Sequence, residues 1–303
     1  MTTPVDLREV GLRDGLQLEA PVPLATKLEI LDAVSRTGVR RVEVTSFVSP
    51  TAVPALADAE QVVAELGRWP ELRFSALVAG YGGARRAVAA GLPHLEYVIS
   101  ASDGHSLANA RRTSDEAVAA TADIARLAHD AGGECEAIIA VAWDCPFDGR
   151  TPVARTVEVA RRAVELGADR ICLGDTIGTT VPGRVVELVE AVRAACPGVE
   201  VGVHLHDTRG SGIACVLAAV QIGVTQIDAA VGGLGGCPFA PGASGNIATE
   251  EVVYLLEESG YSTGLDLGRV LEAAAVVERA VGHALPSGLY RAGGPSRPVP
   301  RPV

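Results

Sequence analysis

Lysine is nearly absent from this 303-residue chain: Lys27 stands alone, and arginine supplies the rest of the 26 basic residues. No segment concentrates them, and 37 acidic residues outweigh them to a formal net charge of −11. An acidic chain without a basic block is a poor nucleic-acid binder, because phosphate contacts need clustered cations. No apolar run reaches the roughly 18 residues that a membrane-spanning helix needs. Residues Met1 to Arg8 lack the apolar stretch of a signal peptide. The six cysteines show no C-x-x-C spacing, and scattered cysteines in a reducing compartment are mostly small buried residues. A soluble, cytoplasmic protein with no membrane or nucleic-acid partner is expected. Aromatic residues make up only 4% of the chain, so a core drawn from the 48% apolar residues must consist mostly of Ala, Val, Leu and Ile.

What is present is a regular alternation. Short β-rich runs fall at roughly 5–10, 40–45, 72–78, 95–100, 135–142, 170–174, 199–204 and 226–231. Between them lie stretches with helical spacing, among them 24–37, 114–131, 152–166 and 182–195. Several helices end at a glycine (Gly38, Gly91, Gly132, Gly167, Gly223) and lead at once into the next strand. Eight strands alternating with helices predict a closed (β/α)8 TIM barrel rather than an open doubly wound sheet. Two further helical stretches, 249–259 and 266–282, follow the last strand. Residues 1–285 are expected to form one catalytic domain, and the Pro-rich tail 286–303 to be disordered.

In such barrels the chemistry sits at the C-terminal ends of the strands. "GLRDGLQ" after strand one carries Arg13 and Asp14; strand two carries Glu43; strand six ends at Asp175. Strand seven ends "HLHD", in which His204 and His206 are two apart and face one side. Both imidazoles can point into the barrel mouth, where Asp14 and Asn246 would complete a nitrogen and oxygen set. That set suits Mg²⁺ or Mn²⁺, with Co²⁺ and Zn²⁺ also compatible. The alternative is a hydrogen-bonded strand end without a metal. Cys237 is either a small buried thiol or, in its glycine-rich loop, an acid or base. The other five cysteines, and His94, His105, His129 and His283, are expected to be structural or surface residues. Adjacent residues in a tight turn rarely pair, so Arg13 is expected to be free of Asp14 and able to reach an oxyanion. Glu43 and Asp175 need partners if buried, and Arg13, an imidazole N–H or a metal-bound water could serve.

Together, "VGLRDGLQ", "VEVTSFVSP", "LGDTIG", "HLHDT" and "GLGGCPFAPGASGN" resemble the 3-hydroxy-3-methylglutaryl-CoA lyase family of the DRE-TIM metallolyase superfamily. The resemblance runs from about Val5 to Gly282. It implies a divalent metal held by Asp14, His204, His206 and Asn246. It implies catalytic roles for Arg13 and Cys237 with Glu43 and Asp175 in support, and places Arg13 and Gln17 against the substrate. The implied reaction is retro-Claisen cleavage of a 3-hydroxy-3-methylacyl-CoA, typically to acetyl-CoA and acetoacetate. The implied partner is an acyl-CoA, and the implied assembly a homodimer. Two departures stand out. Leu18 and Ala20 replace the family's usual Asn and frequent Lys, and "AVAWDCPFDG" puts Trp143 and Asp144 before Cys145. A lyase for another branched 3-hydroxyacyl-CoA, a condensing synthase on the same fold, and a non-catalytic acyl-CoA-binding barrel are the alternatives.

Overall fold

A computed structural model describes residues 3–236 and 245–294. Its sheet is a closed barrel of eight parallel strands: β1 (Asp6–Glu9), β2 (Arg41–Phe47), β3 (Arg73–Val78), β4 (Leu95–Ser100), β5 (Cys135–Ala140), β6 (Arg170–Gly174), β7 (Glu200–His204) and β8 (Gln226–Ala229). Strands neighbour one another in chain order, and β8 pairs with β1 to close the ring. Parallel neighbours need a crossover, and the helices supply it. They are α1 (Leu24–Ser35), α2 (Ala59–Glu65), α3 (Tyr81–Ala89), α4 (Asp103–Ala110), α5 (Ser114–Ala119), α6 (Thr121–Asp130), α7 (Val153–Glu165), α8 (Pro182–Ala195) and α9 (Gly212–Gln221). α10 (Thr249–Glu258) and α11 (Leu267–Val281) follow the barrel. Each helix-ending glycine named above has positive φ, the left-handed conformation that lets the chain leave a helix without a Cβ clash. No helix among the described residues is long and apolar enough to cross a membrane.

Two local expectations differ. The stretch 114–131 is two helices, because at Ala120 the backbone N–H is shared between the carbonyls of Glu116 and Ala117 and the regular ladder is interrupted. The segment from Pro286, expected to be disordered, instead begins with a short helix, α12 (Gly288–Ala292). Ser287 caps it by accepting from the Tyr290 N–H at 3.1 Å, and Glu251 accepts from the N–H groups of Gly288 and Leu289. These bonds satisfy the orphan donors of the helix start and tie it to α10. Residues 295–303 lie outside the described residues.

Outside the barrel the core is the small aliphatic one that the composition predicts, for example Val159, Ala160 and Ala163 of α7. Inside it is not. Arg8, 1% exposed, lies within the barrel and meets three carboxylates. Its Nε and Nη2 bond both oxygens of Asp228 at 2.8 Å, and Nη1 bonds Glu96 at 2.7 Å and also Glu136. Gln226 donates to Glu136 at 2.8 Å, and Ser75 donates to Glu96. Burial opposes ionisation of Asp228, yet Arg8 and His204 hold its carboxyl well below the usual range.

At the C-terminal end of the strands, Glu9 ties the mouth together. One oxygen accepts from the N–H groups of Gly11 and Val231, both at 2.9 Å, and the other from the Thr249 hydroxyl at 2.7 Å. Burial pushes the Glu9 carboxyl up from 4.5 to about 7, these donors pulling the other way. Between those two values an unfolded chain has released the proton and the folded one retains it. The contribution of Glu9 to stability is therefore full below about 4.5 and is lost as pH rises through about 7. Urea unfolding across that window should show wild type losing stability relative to Glu9→Gln as pH rises. Parallel profiles would mean that Glu9 titrates normally.

Candidate metal centre and active-site cavity

The chain leaves β1 through a wide turn, Gly11–Gly15, in which the N–H groups of Arg13, Asp14 and Gly15 all converge on the Val10 carbonyl. A turn wider than an α-helical one is a frequent feature of functional sites. Here it directs two successive charged side chains inward. His204 ends β7, and His206 follows on the same side, bridged to Asn246 by backbone pairing. The two Nε2 atoms are 3.1 Å apart, and Asp14 Oδ2 lies 3.7 Å from His206 Nε2 and 3.9 Å from His204 Nε2. All three side chains are buried, and their ligand atoms lie within 4.8 Å of one another. Asn246 adjoins the group: its Nδ2 donates to Asp14 Oδ2 at 2.7 Å and to the Leu234 carbonyl at 3.0 Å. Its Oδ1 is buried without a hydrogen-bond partner among the described residues. Two imidazoles, one carboxylate and an orphaned amide oxygen fit a divalent cation.

Glycine is required beside this group. A Cβ on Gly235, whose φ is +135°, would stand 2.5 Å from Asn246 Nδ2, and one on Gly245 would stand 2.3 Å from the Gly235 carbonyl oxygen. The loop backbone thus lies against the ligand set, as the glycine-rich sequence suggests.

Arg13 departs from the expectation. It pairs with its neighbour Asp14, and its Nε lies 2.7 Å from Glu43 Oε2. The wide turn makes the adjacent pairing possible, and the two acids share one cation between them. Arg13 holds Asp14 well below the usual carboxylate range against the cost of burial, with His206 and His204 contributing. Glu43 behaves oppositely: burial, reinforced by Glu96, pushes its carboxyl up, with Arg13 pulling it down. Glu43 stands at an irregularity in the pairing of β2 with β3, where Glu43 and Thr45 oppose the successive residues Ser75 and Ala76. Such bulges re-aim side chains beside active sites.

The cluster opens into a cavity of about 860 Å³ lined by Arg13, Asp14, Gln17, His204 and His206. Further lining comes from Val48 and Val53 after β2, His105 and Asn109 of α4, Arg111 and Arg112. Glu43 and Asp175 sit behind this lining. Asp175 accepts the N–H groups of Thr179 and Thr180, each at 3.0 Å, and burial raises its pKa against those bonds. Leu18 and Ala20 do not line the cavity, and Leu18 is exposed to solvent. Trp143 and Asp144 brace the next loop instead. Asp144 accepts from Arg184 and the Thr179 hydroxyl, each at 2.7 Å, and the Trp143 indole N–H donates to the Arg184 carbonyl at 3.0 Å. Val141, at the end of β5, has φ +52°, a strained conformation for a β-branched residue. Two threonines hold it there, Thr176 accepting from its N–H and Thr151 donating to its carbonyl. His105 is buried and hydrogen-bonded to Ser100 at 2.7 Å, a cavity wall rather than a surface residue.

Cys237 lies outside the described residues; the other five cysteines are buried and free of disulfides. Asp228, 3.1 Å from His204 Nδ1, was not among the expected site residues. Its signal is a carboxylate in the otherwise apolar strand run "IDAAV".

A family model described as HMGL-like matches residues 4–277. The hydroxymethylglutaryl-CoA lyase YngG of Bacillus subtilis is 37% identical over 285 residues, covering 93% of this chain and 95% of that protein. An (R)-citramalyl-CoA lyase of Chloroflexus aurantiacus is 39% identical over 300 residues, with 95% of each covered. A solved structure of an HMG-CoA lyase from Acinetobacter baumannii, in complex with coenzyme A and 3-methylmalate, superimposes with a TM-score of 0.94. It is 37% identical, and the match spans 99% of this chain and 98% of that one.

The centre is open to direct titration. His206→Ala removes one of the two facing imidazoles and should weaken Mn²⁺ binding by about 10-fold or more, since even an outer partner of a ligand is worth that much. Calorimetric titration checks it; unchanged affinity would remove His206 from the ligand set.

Proposed function

The chain belongs to the HMGL-like family and is a carbon–carbon lyase acting on a CoA substrate, and from that premise we propose that it cleaves 3-hydroxy-3-methylglutaryl-CoA to acetyl-CoA and acetoacetate. The observation that carries the reading is the convergence of Asp14, His204 and His206 beside Arg13 on the wall of one large cavity. Arg111 and Arg112 border the same cavity, and they bring positive charge to an acidic chain where the phosphates of a CoA thioester need it.

A divalent cation, Mg²⁺ or Mn²⁺, held by Asp14, His204, His206 and Asn246 would supply Lewis acidity at the substrate's C3 hydroxyl. A general base takes the hydroxyl proton, the C3 carbonyl forms, and the electron pair of the C2–C3 bond moves into the thioester as an enolate. Arg13 lies on the cavity wall and is fixed by Asp14 and Glu43. It therefore offers the developing enolate oxygen a positive charge that needs no reorientation. Cys237 follows the cavity-lining Gly236 and is assigned the proton donated to C2. Glu43 orients Arg13 from behind, Asp175 holds the loop at Thr179 and Thr180, and Gln17 faces the substrate.

A second reading, cleavage of citramalyl-CoA, has the Chloroflexus relative in its favour. Incubation with Mg²⁺ and 3-hydroxy-3-methylglutaryl-CoA, citramalyl-CoA or longer branched thioesters, with products identified by mass, separates the two. Acetoacetate with acetyl-CoA is the expected outcome; a preference of about 10-fold or more for citramalyl-CoA would transfer the assignment. Arg13→Gln should lower kcat by roughly 100-fold and change KM less. A raised KM with kcat intact would make Arg13 a binding residue only.

A further inference from the structure

His204 is gripped from inside the barrel. Its Nδ1 lies 3.1 Å from Asp228 Oδ2, the oxygen that also accepts from Arg8 Nη2 at 2.8 Å. The other Asp228 oxygen accepts from Arg8 Nε at 2.8 Å, and Arg8 is fixed in turn by Glu96 and Glu136. The backbones enforce the line-up: His204 is in register with Asp228, and Asp228 with Arg8, across β7, β8 and β1. Asp228 is not the only counter-charge to Arg8, because Glu96 and Glu136 also bond it. Its contact with His204 is what distinguishes it from those two. A carboxylate bonded through both oxygens to a guanidinium can only accept from the imidazole. The His204 proton then belongs on Nδ1, which leaves the Nε2 lone pair facing Asp14 and His206.

We propose that Asp228, oriented by Arg8, is the positioning residue that sets the tautomer and direction of His204 and so makes Nε2 a ready metal ligand before any metal arrives. The proposal rests on the metal-centre reading for its purpose, but the tautomer is a property of the metal-free protein. In Asp228→Ala no acceptor remains for an Nδ1–H at His204, whereas an asparagine keeping its oxygen at the Oδ2 position would still serve both Arg8 Nη2 and His204.

Two measurements test this. Nitrogen-15 imidazole spectra of the metal-free protein, with His204 assigned by its loss in His204→Gln, should show the Nδ1–H tautomer in wild type and its depletion in Asp228→Ala. Mn²⁺ titration of Asp228→Ala should show affinity about 10- to 100-fold weaker than wild type, with thermal unfolding followed in parallel. A purely structural Asp228 would lower the melting temperature and leave both the tautomer and the Mn²⁺ affinity of the folded fraction unchanged, which overturns the proposal. So would an Nε2–H tautomer at His204 in wild type. If Asp228→Ala does not fold, the wild-type spectrum decides. If wild type binds no Mn²⁺, the metal centre falls while the spectrum still decides the tautomer.

Discussion

The pairing of Arg8 with three carboxylates inside the barrel is the constraint on which the rest of the molecule depends. Taking a guanidinium and three acids out of water carries a desolvation cost of several kcal/mol per ion, offset only when geometry and hydrogen bonding are good. Here Arg8 bonds side chains from β8, β4 and β5, so its partners come from both sides of the ring. The register of those strands is thereby coupled to one side chain. A slip of one residue in any of them would turn its charged residue outward and leave Arg8 short of a partner. The same guanidinium reaches toward the mouth through Asp228 and His204, which joins the barrel interior to the candidate metal centre.

A second layer of pairing shapes the mouth itself. Arg13 lies between Asp14 and Glu43, while Glu9 collects the turn after β1, the segment after β8 and the start of α10. The two acids flanking Arg13 have opposite tendencies, Asp14 held ionised and Glu43 pushed toward its neutral form. Such a divergence between neighbouring carboxyls is a mark of acid–base sites. It arises from environment alone. Asp14 has two imidazoles beside the shared guanidinium to offset its burial, whereas for Glu43 burial prevails over Arg13 and the Glu96 carboxylate reinforces it.

The departures from the family pattern fall outside this machinery. Leu18 is exposed, and Glu19 beside it accepts from His283 at 3.0 Å. Trp143 and Asp144 serve Arg184 and the loop that carries Thr179. Neither departure touches the ligand group directly, and the residues that line the cavity near it are those of the shared motifs.

The sequence by itself determined the eightfold alternation of strand and helix, the glycines that end the helices, and the paired direction of His204 and His206. These depend on local periodicity and local backbone preference, which a few adjacent residues encode. It also marked Asp14 and Asn246 as candidates, because strand ends in a barrel face one mouth. Tertiary structure alone decided which charges meet. Arg8, Glu96, Glu136 and Asp228 appear one to a strand, with no repeat to announce them, and the partners of Arg8 are 88, 128 and 220 residues away. A tight turn would keep Arg13 apart from Asp14, but the wide turn lets them pair, and Glu43 reaches Arg13 only once β1 and β2 pair. Burial of a charge, and the partner that makes the burial tolerable, exist only after the barrel has closed.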